Sequence, residues 1–217
     1  MIYEIVILAM IAAFLGLRLY SVLGRRAEHE EEPIPGRFEA PDDKAAAKPA
    51  APVTGLQAGA RELAGFPPAI ERGLRDIASA DRSFELLPFL EGAKSAYEMT
   101  LEAFWRGDRD ELKELCDDDV YAGFAAAIEE REAAGLTLDN RLIRIEDTTV
   151  HSAALDGKTA RIAVRFVADI ATVTRDKDGT PIAGSLDDAV ESRDIWTFKR
   201  DVTSTGPAWL LDETDLG

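Results

Sequence analysis

The spacing of hydrophobic residues changes along this 217-residue chain, and the first pattern is an apolar run near the N-terminus. The run covers residues 2–23 and contains two charged residues, Glu4 and Arg18. A helix of that length crosses a hydrocarbon core of about 30 Å, with Arg18 snorkelling at one end. We therefore predict a transmembrane anchor over residues 1–26. A cleaved signal peptide fits less well because the first residues are acidic and no small-residue cleavage site follows, and a helix buried in a soluble core is the remaining alternative.

Positive charge flanks this run on its C-terminal side. Arg18, Arg25 and Arg26 lie at its end or just beyond it, and no lysine or arginine precedes it. Because positively charged flanks stay on the cytoplasmic side of a membrane, we expect a single-pass protein whose remaining chain lies in the cytoplasm. The cysteine content agrees, because Cys116 has no second cysteine with which to form a disulfide within the chain.

The segment after the anchor is rich in charge, alanine and proline. Its prolines are Pro33, Pro35, Pro41, Pro49 and Pro52. Proline and charge keep such a segment extended, so we predict a disordered acidic Ala/Pro linker over residues 27–60 and a folded domain over 61–217. Within the linker, Ile34 and Phe38 are interpreted either as a short peptide-docking motif or as two isolated hydrophobic residues.

From residue 61 onward, apolar residues recur at helical spacing. Ile70, Leu74 and Ile77 predict a short amphipathic helix, which docks either on its own domain or on a membrane or partner. A broad apolar stripe from about residue 84 or 86 to Trp105 then predicts a long helix that ends at Gly107.

Two shorter helices are predicted after Gly107. Asp108, with Glu111 three residues later, forms a capping-box pattern at the start of the first. The aspartates at 117–119 start the second, which ends at Gly135. Acidic residues at a helix N-terminus complement the helix dipole, so these aspartates need no metal to explain them.

After Gly135 the hydrophobic period changes from helical to two. The alternation predicts strands at 142–145, 150–155, 160–174, 190–200 and 208–212. Turn signals at 156–157 and 178–179 predict antiparallel hairpins. In the third strand, Ile162, Val164 and Phe166 share one face and Asp169 lies on the other. Helices followed by antiparallel strands indicate an α+β domain.

Charge limits the partners of this chain. It is 30% charged, with a formal net charge of -16 and a pI of about 4.5. Such acidity repels the phosphates of nucleic acids and the headgroups of anionic lipids. We therefore expect no nucleic-acid partner, and we expect the anchor rather than surface charge to hold the protein on its membrane.

Motifs for catalysis, cofactors or metals are weak throughout the sequence. The three aspartates after Cys116 disfavour a nucleophilic thiolate. Residues 176–179 begin like a calcium loop, but Pro181 stands where that loop requires glycine. His29 lies in the predicted linker and His151 in a predicted strand. We expect no catalytic, cofactor-binding or metal-binding residues.

Several segments between residues 63 and 212 carry a resemblance to a known family. They are Phe89-Leu90-Glu91-Gly92-Ala93-Lys94-Ser95-Ala96-Tyr97, the Gly107-Asp108 break, Val164-Arg165-Phe166, residues 178–184 and, most specifically, Trp196-Thr197-Phe198 and Trp209-Leu210-Leu211. These segments resemble the inner-membrane translocase subunit forty-four (Tim forty-four)-like domain family, and residues 15–26 resemble the anchor of its bacterial members.

The resemblance implies helices packed on a curved antiparallel sheet, in the cone of the nuclear transport factor two-like shape, with an apolar pocket. It implies a non-enzymatic adaptor or scaffold at the bacterial inner membrane that binds a partner protein or the bilayer surface, in protein translocation or envelope assembly. A lipid or apolar ligand in the pocket is a further possibility. The candidate pocket or partner residues are Tyr97, Leu101, Phe104, Trp105, Phe166, Trp196 and Phe198.

Two other functions are compatible with the same sequence. Cone-shaped domains also host isomerases, dehydratases and small-ligand sites, for which Tyr97, Tyr121, Asp169 and Asp194 are the candidates. Asp169 is disfavoured if Ile162, Val164 and Phe166 line the cavity, because it lies on the opposite face of its strand. A structural role as a self-associating unit under the membrane is the third alternative.

Overall fold

The computed structural model describes residues 65–206 and 208–217. The elements within them are helices α1 (Pro68–Ala80), α2 (Leu86–Arg106), α3 (Arg109–Leu115) and α4 (Asp118–Ala133), and strands β1 (Thr137–Leu138), β2 (Arg141–Asp156), β3 (Thr159–Arg175), β4 (Pro181–Asp201) and β5 (Leu210–Leu216). Helices precede an antiparallel sheet, which confirms the predicted α+β class.

The predicted anchor and linker, with Arg18, Arg25 and Arg26, lie outside the described residues. Within the part of the chain that the structure describes, no helix combines the length and the apolar character needed to cross a membrane.

Helix α1 docks on its own domain, the first of the two predicted alternatives. It packs on β2 with Leu74 and Ile77 fully buried. The two backbones approach so closely at Gly73 that a Cβ there would lie 1.9 Å from the carbonyl oxygen of Ala153. Only glycine fits at this crossing, so the contact fixes where α1 lies along β2.

The predicted ends of the other helices are confirmed. Gly107 ends α2 with a φ of 75°, a left-handed conformation that glycine adopts at low cost. Asp108 caps α3 by accepting a hydrogen bond of 3.1 Å from the Glu111 amide, and Asp117 caps α4 by accepting one of 2.9 Å from the Val120 amide. Side-chain caps therefore account for the acidic starts of both helices.

The sheet is built around β3. One of its edges pairs with β1 and β2, the other edge pairs with β4, and β4 pairs in turn with β5, all antiparallel. The two strands predicted at 142–145 and 150–155 are one continuous strand, β2, which keeps its pairing through three register shifts. Bulges bend a strand and increase its twist, and here they let one strand follow the curved sheet.

Strand lengths depart from the sequence-based prediction at the C-terminal end. Strand β4 begins at Pro181 rather than near 190, because residues 181–185 pair with β3 beyond a register shift. Strand β5 covers 210–216 rather than 208–212, and the two-residue β1 was not predicted. These segments are largely exposed, so their hydrophobic alternation is weak.

Ion pairs fasten the N-terminus of α4 to the sheet. Lys199 Nζ lies 2.6 Å from Asp117 Oδ2 and 2.7 Å from Asp212 Oδ1, and Arg161 Nε lies 2.9 Å from Asp212 Oδ2. The hydrogen bonds that Lys199 donates to Asp117 and Asp212, together with the charges of these aspartates, raise the pKa of Lys199. The network joins the N-terminus of α4 to β3, β4 and β5.

Candidate functional site

Three aromatic side chains form a closed stack between α2 and the sheet, which we call the inner aromatic cluster. Tyr97 from α2, Phe166 from β3 and Trp196 from β4 are at most 4% exposed. The Tyr97 and Phe166 rings stack with centroids 4.4 Å apart, and Tyr97 lies 4.6 Å from Trp196. The cluster is packed core with no opening to solvent at its centre.

The inner aromatic cluster carries one polar group at its edge. The Tyr97 hydroxyl donates a hydrogen bond of 2.7 Å to Asp194 Oδ2, which also accepts one of 2.8 Å from Ser192 Oγ. Burial, and then the hydrogen bond and charge of Asp194, raise the pKa of Tyr97 far above its ordinary value. Tyr97 therefore stays protonated and holds α2 to β4.

A second aromatic group lines an open pocket, which we call the end pocket. The pocket lies between the start of α2, the end of β4 and the segment just before β5, and its volume is about 390 Å3. It is lined by Ser83, Phe84, Glu85, Pro88, Phe89, Gly92, Ala93, Ala96, Phe198, Arg200 and Trp209. It lies toward the N-terminal end of α2 and the C-terminal end of β4, two of the elements that carry the inner aromatic cluster.

Aromatic rings form the apolar wall of the end pocket. Phe89 meets Trp209 with centroids 4.8 Å apart and Phe198 at 6.1 Å, and Phe84 lies 6.0 Å from both Phe89 and Trp209. Phe89 and Phe198 are buried, whereas Phe84 and Trp209 are half-buried. The wall is therefore anchored in the core and exposed at its rim.

A buried ion pair lies beside this wall. Arg200 Nη1 is 3.0 Å from Asp81 Oδ2, and the two side chains are 10% and 8% exposed. Asp81 Oδ1 also accepts hydrogen bonds from the amide and hydroxyl of Ser83, of 2.9 and 2.6 Å. Burial alone would raise the pKa of Asp81, but the Ser83 hydrogen bonds and the charge of Arg200 outweigh it and hold that pKa below its usual value.

The Arg200 guanidinium keeps unused hydrogen-bonding capacity. Its Nε is buried and has no hydrogen-bond partner among the described residues. A guanidinium has five N–H donors, and Asp81 is its ion-pair partner in this part of the chain. Arg200 therefore brings a guanidinium with a buried, unpartnered Nε to the lining of a mainly apolar pocket. Asp81 Oδ2, beside it, likewise lacks a hydrogen-bond partner among the described residues.

The far half of α2 forms a different surface. Leu101, Phe104 and Trp105 are half-buried, and the Phe104 ring lies 5.2 Å from that of Phe124 on α4. The Arg131 guanidinium stands 5.3 Å from the centre of the Phe104 ring, within range of a cation–π contact. These residues stand at the end of α2 opposite the end pocket.

The structure distributes the seven predicted pocket or partner residues over three places. Tyr97, Phe166 and Trp196 form the inner aromatic cluster, Leu101, Phe104 and Trp105 lie on the far half of α2, and Phe198 lines the end pocket. The sequence-based selection missed Phe84, Phe89, Arg200 and Trp209 as pocket residues. The sequence signal that could have pointed to the pocket is the pair of phenylalanines, Phe84 and Phe89, around the start of α2. In the structure their rings pack against Trp209.

The residues considered for an enzymatic cavity do not converge. Tyr97 and Asp194 meet at the edge of the inner aromatic cluster, and neither lines the end pocket. Asp169 accepts a hydrogen bond of 2.8 Å from the exposed Arg144. Tyr121 is half-buried on α4.

The remaining candidates for special chemistry have structural explanations. Burial, and then the charge of Asp117, raise the pKa of the Cys116 thiol to about 12. Asp176 accepts hydrogen bonds from the amides of Asp178 and Thr180 in a hairpin turn. His151 is exposed, and His29 lies outside the described residues. Within the described part of the chain, no group of three or more potential metal ligands occurs.

Comparison with known proteins gives a family match over most of the folded part. The model of the family described as Tim44-like domain matches residues 70–215. The chain is 26% identical over 141 residues to human "Mitochondrial import inner membrane translocase subunit TIM44", covering 64% of this chain and 31% of that protein. It is 26% identical over 145 residues to subunit TIM44-1 of Arabidopsis thaliana, with the same coverage. It thus spans about a third of the length of these relatives.

Among solved structures, the intermembrane space region of the chloroplast protein ARC6 matches with a TM-score of 0.45 and 13% identity. That match covers 58% of this chain and 95% of the other. A conserved protein from Planctomyces limnophilus matches with a TM-score of 0.33 and 16% identity, over 57% and 94% of the two chains.

Proposed function

Because this chain belongs to the Tim44-like domain family, we propose that it is a membrane-anchored adaptor whose folded domain binds a partner protein beside the bacterial inner membrane. The observation that carries the proposal is the family match over residues 70–215. The relatives are named as subunits of a translocase of the mitochondrial inner membrane, which supports a place in protein translocation.

The sequence ahead of the domain supports membrane attachment. In this proposal residues 1–26 span the inner membrane, Arg18, Arg25 and Arg26 lie on the cytoplasmic side, and residues 27–60 form the linker. A net charge of -16 disfavours adhesion of the domain to anionic lipid. The anchor therefore supplies the membrane affinity and leaves the domain surface available to a partner.

The far half of α2 is the surface that we propose for the partner. Trp105 is half-buried beside Phe104, whose ring is held by Phe124 and Arg131. Tryptophan is enriched among the residues that contribute most to protein interfaces. A large aromatic side chain on a rigid helix, fixed by packed neighbours, suits such a role.

Membrane attachment is tested by fractionation. Full-length protein should remain with the membrane after carbonate washing, whereas the same protein without residues 1–26 should become soluble. Digestion of the C-terminus by external protease in spheroplasts would contradict the cytoplasmic placement, and solubility of the full-length protein would contradict the anchor.

The partner surface is tested by site-specific photocrosslinking in membranes. A photoreactive phenylalanine at Trp105 should yield one discrete crosslinked protein, with the crosslinked peptide identified by mass spectrometry. The matched control carries the same group at Arg72, which is exposed on α1. Equal crosslinking from both positions, or none from position 105, would contradict the proposed surface.

The end pocket supports a second candidate function, small-ligand binding. The observation that favours it is the juxtaposition of an open aromatic wall with the donor groups of Arg200. The two functions are compatible, because the pocket and the proposed partner surface lie at opposite ends of α2.

A further inference from the structure

We infer that the end pocket binds a compact, uncharged ligand with an aromatic body and one oxygen that accepts a hydrogen bond, such as an aromatic ketone. The inference combines three features of the pocket: its aromatic wall, its arginine donor and the charges around that arginine. It does not depend on the proposed adaptor function.

The wall determines the body of the ligand. Phe84, Phe89 and Trp209 present three rings within 6.0 Å of one another. Aromatic groups prefer tilted or offset contacts with such rings. The volume of about 390 Å3 falls near the lower end of the roughly 300–1,000 Å3 of small-molecule sites, so the pocket suits a compact ligand.

The shape of the pocket depends on small residues of α2. Gly92, Ala93 and Ala96 line it on the helix side. A Cβ built at Gly92 would meet nothing within 4 Å, so the space in front of this glycine is empty. Larger side chains at these positions would occupy the volume that we assign to the ligand.

Arg200 determines the polar part of the ligand. It lines the pocket, its side chain is 10% exposed, and its Nε lacks a hydrogen-bond partner among the described residues. A buried donor without a partner is costly, and an acceptor that reaches it recovers that cost. An oxygen of the ligand that reaches the guanidinium would add a hydrogen bond to Arg200.

The surrounding charges favour an uncharged ligand. The positive charge of Arg200 is already matched by Asp81, 3.0 Å away. Glu85 adds a second carboxylate at the exposed rim. An anionic ligand would therefore enter a site with a net negative charge, whereas a neutral carbonyl would gain the hydrogen bond without that repulsion.

Photolabelling of the full-length protein tests the site directly. The protein is reconstituted in phosphatidylcholine nanodiscs and irradiated with benzophenone, a neutral aromatic ketone that crosslinks on illumination. The modified peptides are mapped by mass spectrometry. We expect labelling within residues 84–96 and 198–209; labelling confined to other parts of the chain would overturn the inference.

Competition with three naphthalenes tests the ligand class. The competitors are 2-acetylnaphthalene, 2-ethylnaphthalene and 2-naphthoate, with free concentrations corrected by protein-free nanodiscs. The ketone should protect the end pocket from benzophenone labelling at about tenfold lower free concentration than the ethyl compound. That factor is expected for one hydrogen bond to a charged donor. The anion should protect least. Equal protection by ketone and hydrocarbon, or best protection by the anion, would overturn the inference.

Two pairs of variants separate the pocket from general effects. Gly92→Leu should abolish labelling by filling the pocket, while the matched Gly123→Leu, on α4 where a Cβ also meets nothing within 4 Å, should leave it unchanged. The double variant Asp81→Asn with Arg200→Met removes both charges, so no buried charge is left alone. In this double variant, 2-acetylnaphthalene and 2-ethylnaphthalene should protect the pocket from labelling at equal free concentrations. Labelling that survives Gly92→Leu would contradict the site.

Discussion

The inner aromatic cluster and the end pocket share helix α2 and strand β4 but differ in what covers them. Phe89 and Tyr97 lie about two helical turns apart on α2, and Trp196 and Phe198 are neighbours on the same face of β4. Tyr97 is fully buried against the rings of Phe166 and Trp196, whereas around Phe89 the helix presents Gly92, Ala93 and Ala96. The end pocket thus opens where α2 carries small side chains beside Phe89.

The polar groups differ in the same way. In the inner aromatic cluster, Asp194 accepts hydrogen bonds from Tyr97 and Ser192. Beside the end pocket, Asp81 Oδ1 is hydrogen-bonded by Ser83, but Asp81 Oδ2 and Arg200 Nε are buried without a hydrogen-bond partner among the described residues. The edge of the inner aromatic cluster is therefore fully hydrogen-bonded at Asp194, whereas the ion pair beside the end pocket is not.

The largest expected effect comes from truncating one tryptophan of each region. Trp196→Ala should lower the free energy of unfolding by about 3–5 kcal/mol, because it leaves a cavity in closed core. Trp209→Ala should lower the free energy of unfolding by less than half of that amount, because Trp209 is half-buried at the pocket rim. Urea unfolding of the purified protein, followed by near-ultraviolet circular dichroism, measures both; equal losses would contradict the distinction between core and pocket.

The next effect isolates the hydroxyl of Tyr97. Tyr97→Phe keeps the stacked ring and removes the 2.7 Å hydrogen bond to Asp194. We expect a loss of about 1.5–3 kcal/mol, the range for hydrogen bonds to charged groups. Tyr121→Phe on α4 is the control and should change stability by less than about 0.5 kcal/mol. Urea unfolding midpoints that shift equally in both variants would show that the hydrogen bond from Tyr97 to Asp194 does not stabilise the fold.

The ion pair beside the end pocket predicts a dependence of stability on acid. The pKa of Asp81 is lower in the folded protein than its ordinary value of 3.8, so its stabilising contribution is present above pH 3.8. The contribution is lost as the pH falls through the folded-state pKa. Comparison of urea midpoints at neutral and acidic pH should show a smaller acid loss for Asp81→Asn than for the unmodified protein. An unchanged acid loss would exclude Asp81 as a contributor.

The smallest expected effect compares two exposed helical glycines. Gly92→Ala and Gly123→Ala should each raise the free energy of unfolding by up to about 1 kcal/mol, because alanine favours helix and neither Cβ meets a neighbour. Their stability should be alike, whereas Gly92→Ala alone should weaken labelling of the end pocket by benzophenone. A loss of stability in Gly92→Ala would contradict the empty space in front of that glycine.

The sequence pattern was sufficient to predict those elements whose determining residues lie close together in the chain. Asp108 with Glu111, Gly107, and the spacing of Leu74 and Ile77 each act within a few residues. The structure has the helix end at Gly107, the cap at Asp108 and the short helix that they predict. Pairing partners were harder to predict. The continuity of β2 through its register shifts depends on β3, which lies outside any local window.

The candidate site shows the same limit. The sequence-based selection grouped Phe198 with Tyr97, Phe166 and Trp196, because alternation indicates a face of the sheet and not how far a helix covers that face. Arg200 was absent from the selection, since its role depends on Asp81, more than a hundred residues earlier in the chain.

The sequence by itself determined the α+β class, the helix caps and the inward face of β3, because each follows from periodicity or from contacts within a few residues. The tertiary structure decided which aromatic residues close into core and which remain open at the end pocket. It did so because residues 81–96, 198–200 and 209 meet only after the helices have docked on the sheet, and a cavity is a property of that packing and not of any one segment.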